Sequence, residues 1–214
     1  IMRLSITGDY SQNNQKTFIT SAYRKESADF YKVTDISKKS IEFFSNNTPG
    51  VPFPYPSMTV FNGGGGMEYP MMVNQSVDKD NWNGTVHVTS HEILHSYFPF
   101  YMGINERKYA WMDEGMAVML PFQIQKELAP GYDPEARNIT NFEKSSGKEF
   151  EVPLMILTTN LKSKPYRPHA YIRSAAAYSV LQDVVGEDNF KKCMVEYINR
   201  WNGKHPIPYD FFYT

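Results

Sequence analysis

His91-Glu92-Ile93-Leu94-His95 sets two imidazoles four residues apart, with a carboxylate directly after the first. On a helix, positions i and i+4 share a face, so both rings can converge on one metal ion. Glu92 projects from nearly the same side, close enough to act on a water at that metal. Alone, these five residues fit equally well a helix that happens to carry two histidines.

Trp111-Met112-Asp113-Glu114-Gly115-Met116-Ala117 tips the balance. Eighteen residues separate His95 from Glu114, and the segment again reads as helix. A hydrolytic metal site wants three protein ligands and one open position, and two His plus one Glu is a catalytic zinc set. Asp113 is a rival ligand, but neighbours on a helix point about 100° apart, so only one of the two faces the metal. Asp113 is better cast as the group that orients a histidine. His87 lies on the same stripe but roughly 12 Å of helix axis from His95, too far to share an ion with it. With Val88 where a carboxylate would be needed, His87 reads as structural.

Upstream, Gly65-Gly66-Met67-Glu68-Tyr69-Pro70 follows two further glycines. One reading is a flexible hairpin. The other is an edge strand whose bare backbone pairs with a peptide, while Glu68 offers a carboxylate to a free α-ammonium.

Together these motifs resemble the zinc aminopeptidases of the aminopeptidase N and leukotriene hydrolase type (gluzincins). That family's signature is H-E-x-x-H, eighteen residues, then Glu, preceded by G-x-M-E-N, with Tyr69 here at the Asn position. Tyr171-Ile172-Arg173-Ser174-Ala175 is similar to the family's Y-x-K-G-A, and Gly186-Glu187-Asp188-Asn189-Phe190 follows at the G-x-x-x-F position. Residues 50 to 214 carry the resemblance. It implies one Zn2+ per chain on His91, His95 and Glu114, Glu92 as general base, and Tyr171 as donor to the oxyanion. It also implies that Gly65, Gly66, Met67 and Glu68 recognise a peptide with a free N-terminus. Tyr166 and Tyr178 are rivals to Tyr171; spacing to Gly186 favours Tyr171. Arg173 and Ser174 replace the usual Lys-Gly, and Asp113 the common Asn; the first pair bears on substrate preference more than on catalysis. The resemblance further implies a thermolysin-like catalytic domain that is a piece of a longer protein, with a β-rich domain before it, supplying a second amine-binding residue, and a helical domain after it. The bacterial look of the G-G-M-E-Y-P form points to an exported enzyme. Alternatives are a zinc endopeptidase without an amine anchor, and a zinc-binding domain without turnover.

The surrounding elements must hold these groups in place. Residues 1 to about 25 alternate apolar and polar (Met2, Leu4, Ile6, Phe18, Ile19, Ala22), as two short strands would. A helical stripe from Asp29 to Phe44 follows. The prolines of Thr48 to Pro56 exclude helix there. Ser57 to Asn62 and Glu68 to Gln75 read as strands joined through Gly63 to Gly66. Helical patterns dominate from Gly84, over about 85–102, 111–128, 169–185 and 187–201, with Gly186 as a cap between the last two. Ala129 to Lys148 reads as a long loop, and the closing Phe211-Phe212-Tyr213-Thr214 as a helix start. The expected class is α+β in one domain, 1–214, with a strand-rich lobe (1–83) carrying the exopeptidase motif and a helical lobe (84–214) carrying the zinc site.

The composition agrees. Of 214 residues 41% are hydrophobic, enough for a sizeable core, which excludes general disorder. Lys plus Arg total 22 against 23 Asp plus Glu, whereas a nucleic-acid or anionic-membrane binder is normally far more basic. No apolar run reaches the length of a membrane span. Cys193 stands alone, so neither a disulfide framework nor a cysteine zinc cluster is available.

Overall fold

The computed structural model describes residues 2–12, 15–76 and 80–214, and side chains from residue 16 onward apart from Ala28. A five-stranded sheet is formed by β1 (Met2–Gln12), β2 (Gln15–Arg24), β3 (Ser57–Asn62), β4 (Gly66–Tyr69) and β5 (Met72–Gln75). Its spatial order is β1-β2-β3-β5-β4. The β1/β2 and β4/β5 pairs are antiparallel, while β2/β3 and β3/β5 are parallel. Parallel pairing of β2 with β3 needs a crossover, which α1 (Val33–Asn46) provides. Strand character at both ends of the expected first pair is present; which way Met2, Leu4 and Ile6 point lies outside the described side chains.

Glu68 to Gln75 is not one strand, as expected, but two. Pro70 has no N–H to continue a ladder and Met71 adopts a positive φ of 64°, so the chain turns back and leaves β4 on the sheet edge.

The helical part comprises α2 (Trp82–Leu94), α3 (Glu106–Met119), α4 (Phe122–Leu128), α5 (Pro134–Ser145), α6 (Ser163–Arg167), α7 (Ser174–Val185), α8 (Glu187–Trp201) and α9 (Pro208–Phe212). The expected helix over 85–102 ends early. Pro99 cannot donate, and the backbone leaves helical values at Phe98 (φ −127°, ψ 111°) within a wide turn over Ser96–Tyr101. The expected 111–128 helix is likewise two, parted at Leu120 and Pro121. Ala129 to Lys148 is not a loop. Asp133 caps α5 by accepting from Ala136 N at 3.1 Å, and Pro134 takes the first helical position.

One hydrophobic cluster runs from the sheet (Ile19, Met58, Val60, Val73) through α1 (Phe44) to α2 (Ile93, Leu94) and α3 (Met116). The metal-type motif therefore sits on helices pinned to the sheet by buried apolar area, the dominant favourable term in folding.

Candidate metal centre and its cleft

Asn81 caps α2, accepting from Gly84 N at 2.9 Å, and the apolar face of the helix is buried against the sheet. His91 and His95 then emerge on one side, buried, with ring centroids 4.8 Å apart. The Nδ1 atom of His91 meets the carbonyl of Ala117 at 2.9 Å. Since a carbonyl only accepts, that nitrogen carries the hydrogen and Nε2 keeps its lone pair. His95 is oriented in the same way, donating from Nδ1 to Asp113 Oδ1 at 2.6 Å and to the Phe98 carbonyl at 2.8 Å. The helix break at Phe98 is what returns that carbonyl to the imidazole.

The two Nε2 atoms are 3.2 Å apart. Glu114 Oε2, from α3, lies 3.3 Å from one and 3.4 Å from the other, and is buried without a hydrogen-bond partner. With both rings neutral and their hydrogens on Nδ1, three electron-pair donors face one another. Nitrogen and oxygen ligands at about 2.0–2.1 Å from a tetrahedral ion are spaced by about 3.3–3.4 Å, so the residues present fit such an ion. Burial works against the charge on Glu114, but the two imidazoles outweigh it and hold the carboxyl well below its usual range. Burial also disfavours a charged His95, yet Asp113 and Glu114 push its pKa up.

Glu92 is buried beside the pair, its Oε2 without a partner. Burial raises its pKa, with His91 and His95 opposing. Its other oxygen lies against the bare backbone of Gly66 in β4, where an added Cβ would come within 2.6 Å of Oε1. Edge strand β4 pairs with β5 alone among the described strands, so its outer edge runs along the cleft. Of the expected strand residues, Gly66, Met67 and Glu68 line the cleft, and the Glu68 carboxylate falls within 4.8 Å of ligand atoms of His95 and Asp113. Gly65 stands just before β4 with φ +77° and does not line it.

Tyr171 follows the Pro168 turn before α7; its hydroxyl donates to the second oxygen of Glu114, and its ring stacks on His91 at 6.1 Å. Burial, then the Glu114 charge, pushes its pKa up, so it keeps its proton. Rival Tyr178 is buried in the core, its hydroxyl toward the Trp111 carbonyl. Tyr166 does line the cleft, edge-on to Tyr171 at 6.1 Å, its pKa pushed up to about 12 by burial and then Glu114.

The cleft holds about 1040 Å³. Several of its residues carried no signal in the sequence, among them Glu106, Tyr132, Arg137 and Arg167. His87 is tied back through Nδ1 to Gln125 Oε1 and the Tyr132 hydroxyl, both at 3.3 Å, and also faces the cleft.

The chain matches the family profile "Peptidase family M1 domain" over residues 32–213. It is 25% identical over 121 residues to "Probable aminopeptidase 1" of Saccharolobus solfataricus, covering 52% of this chain and 15% of that protein. The crystal structure of an M1 zinc metallopeptidase from Deinococcus radiodurans superposes with a TM-score of 0.73 at 15% identity, over 99% of this chain and 47% of the other. A mutant M1 zinc metallopeptidase of that organism, bound to a Tyr-Ser-Ala substrate, gives the same values. The chain thus spans about half the length of these structures and a smaller share of the curated relative. No helix among the described residues is long and apolar enough to cross a membrane.

Proposed function

The chain belongs to peptidase family M1, and from that premise we propose that it is the catalytic part of a zinc aminopeptidase, removing the N-terminal residue of a peptide. The observation that carries this reading is the triangle of lone pairs on His91, His95 and Glu114, with sides of 3.2, 3.3 and 3.4 Å. These three residues would hold one zinc ion. When bound, zinc supplies Lewis-acid polarisation of the scissile carbonyl and acidifies a water.

The chain's own groups do the rest. Glu92 accepts the proton of the attacking water on its unpartnered oxygen and delivers it to the leaving amine. Tyr171, held protonated, donates its hydroxyl hydrogen to the oxygen that gains charge, a contact typically worth about 3–4 kcal/mol. The free edge of β4 pairs with the substrate backbone, and Glu68 receives the α-ammonium on the His95 side of the cleft. A peptide without a free amine would leave that carboxylate desolvated and unpaired, which is how exopeptidase selectivity arises. Asp113 keeps the His95 ring in the tautomer that presents Nε2.

The comparison of aminoacyl-fluorogenic substrates with their N-acetylated forms tests this reading, alongside metal content by mass spectrometry. Free-amine substrates should be cleaved and acetylated ones not. An endopeptidase would be indifferent to the amine, and a binding domain would cleave neither.

A further inference from the structure

His87 stands one turn of α2 before His91, as His91 stands one turn before His95, so the three rings form a row along one wall of the cleft. The His87 ring stacks on that of His91, with centroids 6.1 Å apart and planes 21° from parallel. Glu68 falls beside His95, at the other end of the row. A substrate with its α-ammonium on Glu68 and its scissile carbonyl at the ligand triangle therefore carries its leaving residue toward His87.

The hydrogen bonds behind His87 decide which of its nitrogens bears the hydrogen. Gln125, from α4, is fully buried, and its Nε2 donates to Ser90 Oγ at 2.9 Å and faces the His87 carbonyl at 3.5 Å. The Ser90 hydroxyl spends its own hydrogen on a carbonyl of α2, that of Val86 at 2.8 Å or His87 at 3.2 Å, so toward Gln125 it only accepts. The amide is thereby fixed with Oε1 toward His87 Nδ1, 3.3 Å away. An amide oxygen only accepts, so Nδ1 carries the hydrogen, which the Tyr132 hydroxyl oxygen also meets at 3.3 Å. Nε2 keeps the lone pair. Burial, then the charges of His91 and Arg137, lower the pKa and keep a second proton off the ring. Among the described residues Nε2 has no hydrogen-bond partner, yet it is not sealed off: His87 is half-buried in the cleft wall. A neutral acceptor of fixed orientation thus opens on the path of the leaving residue.

Resting on the aminopeptidase reading, we propose that His87 determines specificity: its Nε2 accepts a hydrogen bond from the side chain of the leaving residue. Peptides with Thr, Ser or Asn in second place are then the preferred substrate class. A carboxylate side chain brings no hydrogen to this lone pair. An ammonium brings three, but the Arg137 guanidinium, which donates to the Tyr132 hydroxyl at 3.0 Å, disfavours a second cation there. Neutral donors remain. The reach agrees. Two backbone and two side-chain bonds of about 1.5 Å each carry a hydroxyl about 4 Å past the scissile carbon. One turn of α2 separates His87 from His91 by about 6 Å of rise, and a hydrogen bond of about 2.8 Å spans the difference.

The test compares two tripeptides alike but for Thr or Val in second place, side chains of one shape with and without the hydroxyl. On zinc-loaded protein, kcat/KM should favour Thr by about three- to tenfold, as one hydrogen bond to a neutral acceptor does. Dissociation constants for the same two peptides on the Glu92→Gln protein, measured calorimetrically, should show the same preference. His87→Leu should bring both ratios to one or below. If that variant does not fold, a second pair on the parent, Asn against Leu in second place, should favour Asn in the same way. Arg200→Gln, which breaks a pair with Glu196 on α8, should leave the ratios as they are. A parent ratio at or below one for either pair, or a Thr preference that survives His87→Leu, overturns the assignment. A preference in binding with no hydrolysis by the parent upholds the role of His87 and overturns the aminopeptidase reading.

Discussion

Gly66 and Glu92 are held so close that a methyl on the glycine would sit 2.6 Å from the carboxylate. The strand that is to pair with substrate is thereby also the wall against which the base rests. Gly66→Ala should push the flexible end of Glu92 aside while leaving strand and metal ligands in place. We expect kcat to fall by about a hundredfold, as a displacement near 1 Å does, with zinc content and Tm unchanged. A variant with full kcat would show that Glu92 has room to spare.

Glu92→Gln keeps the shape but cannot accept a proton. Zinc should stay at about one per chain while turnover drops by about 10²–10⁴. Substantial residual hydrolysis of any peptide the parent cleaves would remove Glu92 from the base role.

Asp113→Asn takes the charge from the partner of His95 without removing a ligand. Zinc affinity, read by competition with a chelator, should weaken about ten- to a hundredfold. Glu114→Ala should lose stoichiometric zinc altogether. If Glu114→Ala holds zinc as tightly as the parent, the third ligand is another residue.

His87 offers a pH test. Its folded pKa, near 4, lies below the ordinary 6.5 because burial disfavours the cation. The unfolded chain therefore takes a proton as pH falls below about 6.5 while the folded chain does not, and stability is lost from there down to about 4. The loss should reach at most about 3 kcal/mol. His87→Gln should flatten that part of the stability curve in chelator-treated protein, where zinc release plays no role. An unchanged slope would show that His87 titrates normally.

The parts of the site that were legible in the sequence are those set by local helical geometry. His91, Glu92 and His95 needed only the rise of one helix, and Glu114 only a second helix at a known distance in the chain. What escaped was set by contacts across the fold. α5 reads as loop in the sequence because the stretch from Ala129 to Lys148 holds Pro, Gly, Asn and Ser; its inner stripe faces a cleft rather than the core, so the usual apolar signal is missing. The Asp133-Pro134-Glu135 start was nevertheless there to be read. The break at Phe98 was announced by Pro99, but that it would free a carbonyl for His95 depends on where the chain goes next. Arg137 and Arg167 come from helices that only tertiary packing brings together.

Position 115 sets a last dimension of this site. A Cβ at Gly115 would meet both the Cβ and the hydroxyl of Ser174 at 2.6 Å, and the Tyr178 ring at 2.9 Å. Glu114 is the residue before that contact on α3, and Tyr171 lies three residues before Ser174 at the start of α7. Ligand carboxylate and hydroxyl are thus offset from a single joint, like two pointers on one pivot. Any substitution that spreads the joint swings both pointers at once, so the spacing between metal and hydroxyl cannot be tuned at one helix without being retuned at the other.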